Sequence, residues 1–410
     1  MLKPELLAPA GNLEKLKIAL AYGADAVYLG GERYSLRASA GNFSLPEMAE
    51  GVQFAHQRGK KVYVTVNIFA HNRDFAGLAP YLQELAKLQV DGILISDPGI
   101  LFLAKELDLG LDFHLSTQAN ATNWAAVQFW RNLGVKRVVL ARELSLAEIT
   151  EIRSKVEVEL EAFVHGAMCM SYSGRCLLSS YWTGRSANRG ACTHPCRWRY
   201  QLLEQTRPGE YMPIEEDDRG SYILSSRDLN MIRHIPQLAS AGLTSWKIEG
   251  RMISIHYLAT VVKVYREAMD AYFQNPEDYQ FQSRWDDELQ KVSDRGFTTG
   301  FYFEGAKKGC MVEAGEPASP PQVEFVGLVL GNESNGLTLV EQRNRFSVGD
   351  RLEVLEPHGD PYTFRLEKLL DENGSPIPAA PHPQQKVFIQ APKPIQLNGI
   401  LRRYHRSRNL

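Results

Sequence analysis

The sequence predicts an α/β protein: a (β/α)8 barrel of the TIM type with a long cysteine-bearing insertion, then a small antiparallel β-barrel or sandwich domain. Three observations predict it. Aliphatic runs alternate with amphipathic stretches through roughly the first 165 residues. An eighth such unit follows a long excursion. After the proline-dense segment "GEPASPPQ", the pattern changes to short period-2 strands separated by turn residues.

"ELLAPAG" (Glu5–Gly11) reads as a buried strand, and "NLEKLKIALAYG" as a helix with Leu13, Leu16, Ala19 and Leu20 at helical spacing, ended by Gly23. "ADAVYLGG" is the second strand. The helix "LPEMAEGVQFAHQRG" follows, with Ser44 as N-cap and Pro46 in its first turn. The pairs continue in order. "KKVYVTVNIF" precedes "GLAPYLQELAKLQV", "DGILISD" precedes "PGILFLAKELD", and "LDFHLSTQAN" precedes "TNWAAVQFWRNLG". "VKRVVLARE" precedes "LSLAEITEIRSKV", and "VELEAFVHG" is a seventh strand. "LTSWKIEGR" (Leu243–Arg251) supplies the eighth, with "SIHYLATVVKVYREAMDAYF" behind it. Near-continuous apolar strands argue a parallel sheet covered by helices, and eight units favour closure into a barrel. No G-x-G-x-x-G follows the first strand, which counts against a dinucleotide-binding sheet.

The excursion, about 167–240, holds the cysteines, a strand "YILSS" and a helix "DLNMIRHIPQLASAG". A loop of this length in a compact domain is normally functional. The expected domains are residues 1–310 for the barrel, 311–322 for a linker and 323–410 for the all-β domain with its basic tail. "VEFVGLVLG", "GLTLVEQR", "DRLEVLEP", "YTFRLEKLLD" and "QKVFIQAP" are the strands of that last domain.

The chain has 410 residues, 44% hydrophobic and 23% charged, as in ordinary globular proteins. A net charge of −2 gives no global basic field for nucleic acid. The tail "LRRYHRSRNL", with Arg402, Arg403, Arg406 and Arg408, reads either as a solvated end or as a local polyanion contact. No signal-peptide pattern and no run of 18 apolar residues is present, so a cytoplasmic protein without membrane contact is expected.

Active sites of such barrels lie at the C-terminal ends of the strands. Those ends offer Arg33 and Arg37, Asn67 and His71, Asp97, Gln118 and Asn120, Arg142 and Glu143, His165, then Lys247, Glu249 and Arg251. Any one of these is more often a satisfied structural group. Together they suit an anionic, oxygen-rich ligand.

The cysteine cluster begins just after His165. Cys169, Cys176, Cys192 and Cys196 follow the spacing C-x6-C-x15-C-x3-C, and Cys310 stands apart. Zinc knuckles usually pair C-x2-C or C-x4-C, which neither half matches. Four thiolates at fold-dictated spacing better suit a [4Fe–4S] cluster. Zinc, and buried or redox cysteines, stay open on spacing alone. A nucleophile reading with Cys169, Ser173 or Ser179 near His165 lacks any recognisable protease signature.

The segments "ELLAPAGNLEKLKIALAYGADAVYLGG", "EAFVHGAMCMSYSGRCLLSSY", "NRGACTHPCRWRY" and "SWKIEGRMIS" resemble the peptidase U32 family, also called collagenase-like proteases. "RPGEYMPIEEDDRGSYILSSRDL" and "RGFTTGFYF" resemble its tRNA-hydroxylating branch. The resemblance implies an iron–sulfur enzyme that converts the wobble uridine of tRNA to 5-hydroxyuridine with prephenate as cosubstrate. It implies a [4Fe–4S] cluster on Cys169, Cys176, Cys192 and Cys196, with Cys196 replacing the more distant fourth cysteine of the ubiquinone branch. On that reading Arg37, Lys247 and Arg251 would hold prephenate's carboxylates, and His71, Gln118 and His165 would serve proton transfer or orientation. Tyr34, Tyr172 and Trp182 would stack a splayed base, and the β domain with its tail would meet the anticodon arm. A second subunit of the same family is a candidate partner. A U32-type peptidase, an rRNA hydroxylase and a non-catalytic RNA-binding subunit are the alternatives.

Overall fold

A computed structural model describes residues 2–35, 42–168, 177–185, 193, 202–203, 211–212, 215–217, 220–222, 227–293, 296–303 and 322–404. The first seven strands are β1 (Glu5–Pro9), β2 (Ala26–Gly30), β3 (Lys61–Val66), β4 (Gly92–Ile95), β5 (Phe113–Leu115), β6 (Arg137–Val139) and β7 (Glu159–Ala167). Between them run helices α1 (Leu13–Ala21), α2 (Leu45–His56), α3 (Leu78–Lys87), α4 (Pro98–Glu106), α5 (Trp124–Asn132) and α6 (Leu146–Lys155). After β7 come α7 (Leu178–Thr183) and two small antiparallel pairs, β8 (Leu202–Leu203) with β9 (Tyr211–Met212) and β10 (Glu215–Asp217) with β11 (Gly220–Tyr222). Then follow β12 (Asp228–Asn230), α8 (Ile235–Ser240), β13 (Ser245–Ile248), α9 (Ile255–Gln274), α10 (Ser283–Gln290) and β14 (Phe297–Thr298).

Strands β1 to β7 pair in parallel sequence, and β13 pairs with both β1 and β7. Eight parallel strands therefore close into the expected barrel. Side chains at the loops entering the helices fix the helix starts. Asn12 Oδ1 accepts from Lys15 N at 2.9 Å, and Ser44 and Ser145 form capping boxes with Glu47 and Glu148. Such caps contribute about 1 kcal/mol each. Gly23 ends α1 in the left-handed region, φ 110°.

Opposed residues of paired strands share a face, so the register identifies the lumen. Glu5, Tyr28, Tyr63, Thr65, His114, Arg137, Glu161 and Lys247 all project inward. The floor is charged rather than aliphatic. Arg137 Nη1 reaches Glu5 at 2.6 Å and Glu161 at 3.3 Å, and its Nε donates to Glu159 at 2.7 Å. Lys247 Nζ donates to Glu161 Oε1 at 2.7 Å and lies 4.2 Å from the Tyr28 ring centroid. Burial pushes the Glu161 carboxyl up, but Lys247 and Arg137 more than reverse this and hold it at about 2. Burial also lowers Lys247, opposed by Glu161.

Strand β7 carries a β-bulge. Lys247 lies opposite Phe163, yet its neighbour Ile248 lies opposite His165, so Val164 is the extra residue. Beyond the bulge the end of β7 pairs antiparallel with β12, which pairs with β14. The helix expected over "DLNMIRHIPQLASAG" is thus shortened at its start, and a 3₁₀ turn over Ile232–His234 leads into it. Asp228–Asn230 extends the sheet, and α8 begins only at Ile235, where Pro236 is tolerated in the first turn. Of "YILSS", only Tyr222 lies within the described residues, ending β11.

The C-terminal domain has β15 (Val323–Asn332), β16 (Leu337–Gln342), β17 (Phe346–Ser347), β18 (Arg351–Leu355), β19 (Tyr362–Arg365), β20 (Leu369–Leu370), β21 (Ala379–Ala380), β22 (Lys386–Gln390) and β23 (Ile400–Tyr404). Its main sheet is antiparallel, in the order β19-β18-β23-β15-β16-β22-β20, over a core that includes Val326, Val340, Leu352 and Ile389. "YTFRLEKLLD" is divided between β19 and β20. The start of the basic tail corrects the expectation of a solvated end: Arg402 and Arg403 lie on β23 inside the sheet. Arg402 is fully buried, with Nε on Glu353 and Nη2 on Glu288 at 2.6 Å each. Arg403 binds Asp350 and Glu324 at 2.8 and 2.7 Å. Arg406, Arg408 and all but Gln322 of the expected linker lie outside the described residues.

The domains interlock along α1, α9 and α10. Tyr22 Oη donates to the carbonyls of Leu355 and Asn398 at 2.8 and 3.0 Å. Lys263 Nζ donates to the carbonyls of Glu356 and Gly359 at 3.0 and 2.8 Å. Among the described residues no helix is long and apolar enough to cross a membrane.

Glu161→Gln leaves Lys247 without its buried counter-charge and removes one of the three carboxylates around Arg137. It is expected to cost about 3–5 kcal/mol at pH 7, measured by urea unfolding. Because the folded-state pKa of Glu161 is about 2 against an ordinary 4.5, the wild-type contribution is complete above pH 4.5 and lost as pH falls toward 2. The variant should lose that part of the pH dependence.

Candidate active site

The strand ends bring three polar groups to the barrel mouth. The first centres on Arg251, three residues beyond β13. Its guanidinium is 5% exposed and donates Nη1 to Ser35 Oγ at 2.8 Å and Thr65 Oγ1 at 3.2 Å. The two hydroxyls are themselves 2.7 Å apart, and Thr65 also donates to the Leu29 carbonyl. Gly30 makes room for this arrangement, since a Cβ there would lie 2.3 Å from both Arg251 Nη1 and Ser35 Oγ.

The second group joins β3 to β5. Asn67 Nδ2 donates to Gln118 Oε1 at 2.9 Å and to Ser116 Oγ at 3.1 Å, and Ser116 Oγ also bonds Gln118 Oε1. Ser96 Oγ donates to the Asn67 carbonyl at 3.0 Å. The third group joins β2, β6 and β13. Tyr28 Oη contacts Glu249 Oε2 at 3.3 Å, Arg142 Nη2 lies 3.6 Å from the same oxygen, and the Arg142 guanidinium covers the Phe163 ring. Burial raises the Glu143 carboxyl beside it.

Among the described residues, two of the six non-glycine residues with positive φ lie on this rim, Tyr34 after β2 (φ 62°) and Asn120 after β5 (φ 52°). Such backbone strain clusters at functional sites. Tyr34 packs its ring against Tyr81, centroids 5.2 Å apart, and burial raises its phenol.

The candidate residues separate into distinct settings. Arg251 and Gln118 are at the mouth in the networks above. Lys247 points into the lumen, but its ammonium is engaged by Glu161 in the ionic floor. His165 is turned out of the lumen by the bulge: it shares a face with Ile248 and packs among Tyr257, Tyr265 and Phe297, with centroids 5.8, 5.4 and 5.7 Å away. It is 1% exposed, and neither ring nitrogen makes a hydrogen bond of ordinary geometry. Burial pushes it down to about 3, weakly opposed by Asn230, so the ring is neutral at physiological pH. His71 is exposed at the head of the 3₁₀ turn Asn72–Gly77, its backbone N donating to Asp74. Asp97 is a helix cap, accepting from Gly99 N and Ile100 N. Arg37, Tyr172, Ser173, Cys169, Cys176, Cys192, Cys196 and Cys310 lie outside the described residues.

The flanks of the cysteines are partly described. Leu177, adjacent to Cys176, leads into α7, and Thr193 is adjacent to Cys192. Thr193 N donates to Ser179 Oγ at 3.0 Å, and the two hydroxyls lie 3.0 Å apart. The chain after Cys176 and the chain after Cys192 are therefore tied together. Trp182 on α7 is 54% exposed, edge-on to Tyr181. Sequence reasoning overlooked Ser35, Thr65, Ser96 and Ser116. Strand alternation places Thr65 on one face of the chain with Asn67, whereas the three serines lie beyond the ends of their strands.

The profile of Peptidase family U32 matches residues 11–311, and that of the Peptidase family U32 C-terminal domain matches residues 321–402. The chain belongs to peptidase family U32. Its relatives include tRNA hydroxylation protein P1 of Bacillus subtilis, 46% identical over 402 residues, which are 98% of this chain and 95% of that protein. Escherichia coli tRNA hydroxylation protein P is 40% identical over 443 residues, 98% of this chain and 96% of that protein. A Porphyromonas gingivalis member named collagenase is 36% identical over 310 residues, 73% of each chain. Family membership covers both the barrel that builds the mouth and the domain that flanks it.

His165→Phe should be tolerated, because the ring is neutral, packed among aromatic rings, and has no hydrogen bond of ordinary geometry to lose. Urea unfolding at pH 7 should show no loss of stability; a loss above about 2 kcal/mol would reveal a polar partner for the ring. Gly30→Ala should displace the Arg251 guanidinium and cost about 1–3 kcal/mol by overpacking, read in the same assay.

Proposed function

We propose that this protein is a tRNA-modifying enzyme: an iron–sulfur-dependent hydroxylase that converts the wobble uridine to 5-hydroxyuridine, with prephenate as cosubstrate. The observation that carries this reading is the near full-length identity to two tRNA hydroxylation proteins, across barrel and C-terminal domain alike. The site supports it chemically. Arg251 is a fixed, always-charged fork whose direction is set by two hydroxyls, suited to a carboxylate. The Asn67–Ser116–Gln118 network offers neutral donors and acceptors beside it for a polar, oxygen-rich ligand.

Cys169, Cys176, Cys192 and Cys196 would hold the cluster. The Ser179–Thr193 contact fits this, since it ties together the segments that follow two of the four thiols. A cluster held by thiolates supplies one-electron transfer or a Lewis-acidic iron. The chain's own residues would bind and orient the ligand. Arg251 would pair a carboxylate, Arg142 with Glu249 and Tyr28 would line the opposite side, and Tyr34 and Trp182 offer ring faces to a base. His71, exposed and near the rim, is a candidate for proton exchange with solvent; Arg37 is a candidate second cation. Lys247 would act on the ligand only indirectly, through the Tyr28 ring it covers.

The peptidase reading follows the collagenase relative. Among the described residues no histidine is hydrogen-bonded to a serine, threonine or cysteine side chain, so no described pair carries it.

Anaerobically purified protein is expected to contain about four iron atoms per chain, lost in Cys176→Ala. Equimolar zinc without iron would overturn the cluster. Nucleoside mass spectrometry of tRNA from a host lacking other family members should show 5-hydroxyuridine restored by the wild type, and neither by Cys176→Ala nor by Arg251→Gln. Restoration by Arg251→Gln would remove that residue from the ligand site.

A further inference from the structure

The hairpin β18–β19 places two arginines directly across from one another. Its register pairs Arg351 with Arg365, Leu352 with Phe364, Glu353 with Thr363 and Val354 with Tyr362. Residues so opposed share a face, with their Cβ atoms about 4.5–5.5 Å apart, and like charges in that position repel. Both arginines are exposed, and among the described residues neither forms an ion pair. Arg351 donates Nη2 to Thr363 Oγ1 at 3.2 Å.

The nearby acids do not neutralise the pair. Glu353, on the same face, is bound by Arg402 and Lys291, and Glu288 by the same two cations. Asp350 is bound by Arg403. Two carboxylates and two cations close one cluster, a second ion pair sits beside it, and two guanidiniums remain in excess. The hairpin's turn is anchored to the barrel through the carbonyls that Lys263 holds. The pair sits at the open end of this hairpin, on the face of β18 that carries Glu353, whose cluster ties the sheet to α10.

We infer that Arg351 and Arg365 form a phosphate-binding contact for the backbone of the RNA substrate. This rests on the tRNA reading above. A guanidinium fork matches phosphodiester oxygens, and a phosphodiester bridging or flanking the two forks removes their mutual repulsion. RNA supplies one such charge per nucleotide, so two adjacent unneutralised cations match a repeating polyanion. An overall charge of −2 leaves such contacts to local patches of this kind.

The test is equilibrium binding of an unmodified tRNA transcript to the full-length holoprotein, wild type and Arg351→Gln/Arg365→Gln, across a salt series. The double variant should bind about tenfold or more weakly near physiological salt. The slope of log K against log salt should fall by about 1.4–1.8 for two lost contacts. Arg351→Lys/Arg365→Lys should recover most of the slope. The Gln variant should melt no lower than wild type, because substitution relieves repulsion. If the wild type binds the transcript and the Gln variant binds it with equal affinity and slope, the inference is overturned and the tRNA reading stands. Retention of tRNA with selective loss of poly-glutamate binding would also overturn it, in favour of an acidic protein partner. If the wild type binds no tRNA, the tRNA reading fails and takes the inference with it.

Discussion

The Glu161 carboxylate governs this molecule. It is fully buried in the lumen, where an unpaired charge costs several kcal/mol, and its partners come from other strands. Lys247 stands on β13 and Arg137 on β6, and Arg137 reaches across to Glu5 on β1. Those strands surround the seam at which the last strand closes the barrel. A register error in any of them would strand a charge, so the ionic floor specifies closure as well as filling space. Glu249 and Arg251 follow β13 within three residues, and their places at the mouth inherit that register. Arg251 then ties the rim to β3 and to the loop after β2 through Thr65 and Ser35.

The barrel was legible because its strands are short aliphatic runs and its helices begin at Asn12, Ser44, Asp97, Asn123, Ser145 and Ser254, side chains that cap them. Arg251 and Gln118 were legible as mouth residues because they follow strand ends. Lys247 and His165 were harder. Alternation places Lys247 in the lumen, but only the fold brings Glu161, 86 positions away in the chain, against it. His165 would share the lumen with Glu161 and Phe163 if β7 were regular; one inserted residue reverses it, and period-2 patterns carry no mark of a bulge. Arg402 and Arg403 looked like tail residues because their acidic partners, Glu353, Glu288, Asp350 and Glu324, lie 49 to 114 positions away in the chain. Short hydroxyl side chains such as Ser35 and Thr65 give no signal of their own until an arginine is found between them.

The structure divides labour by height and by side. Charge is buried at the floor, where it is fully paired. Neutral hydrogen-bonding groups, the positioned Arg251 guanidinium and the Arg142–Glu249 pair occupy the mouth. The burial that drives His165 and His114 down to about 3 keeps both neutral near pH 7. Among the described residues, solvent-facing chemistry is thereby left to the rim. A family that includes members named for collagen cleavage and for tRNA hydroxylation is intelligible on this plan, since floor and closure are indifferent to what lies above the mouth.

The interlock of Tyr22, Lys263 and Arg402 turns the flanking domain into a ruler. Those side chains seat the β domain directly on the barrel's helices, so the mouth and the β sheet are placed by contact with one another. A large ligand that touches both surfaces meets the second at an effective concentration set by its own rigidity rather than by a linker in the protein. Ligands of the wrong length gain only one contact. Discrimination by overall shape can then operate without a single base being read.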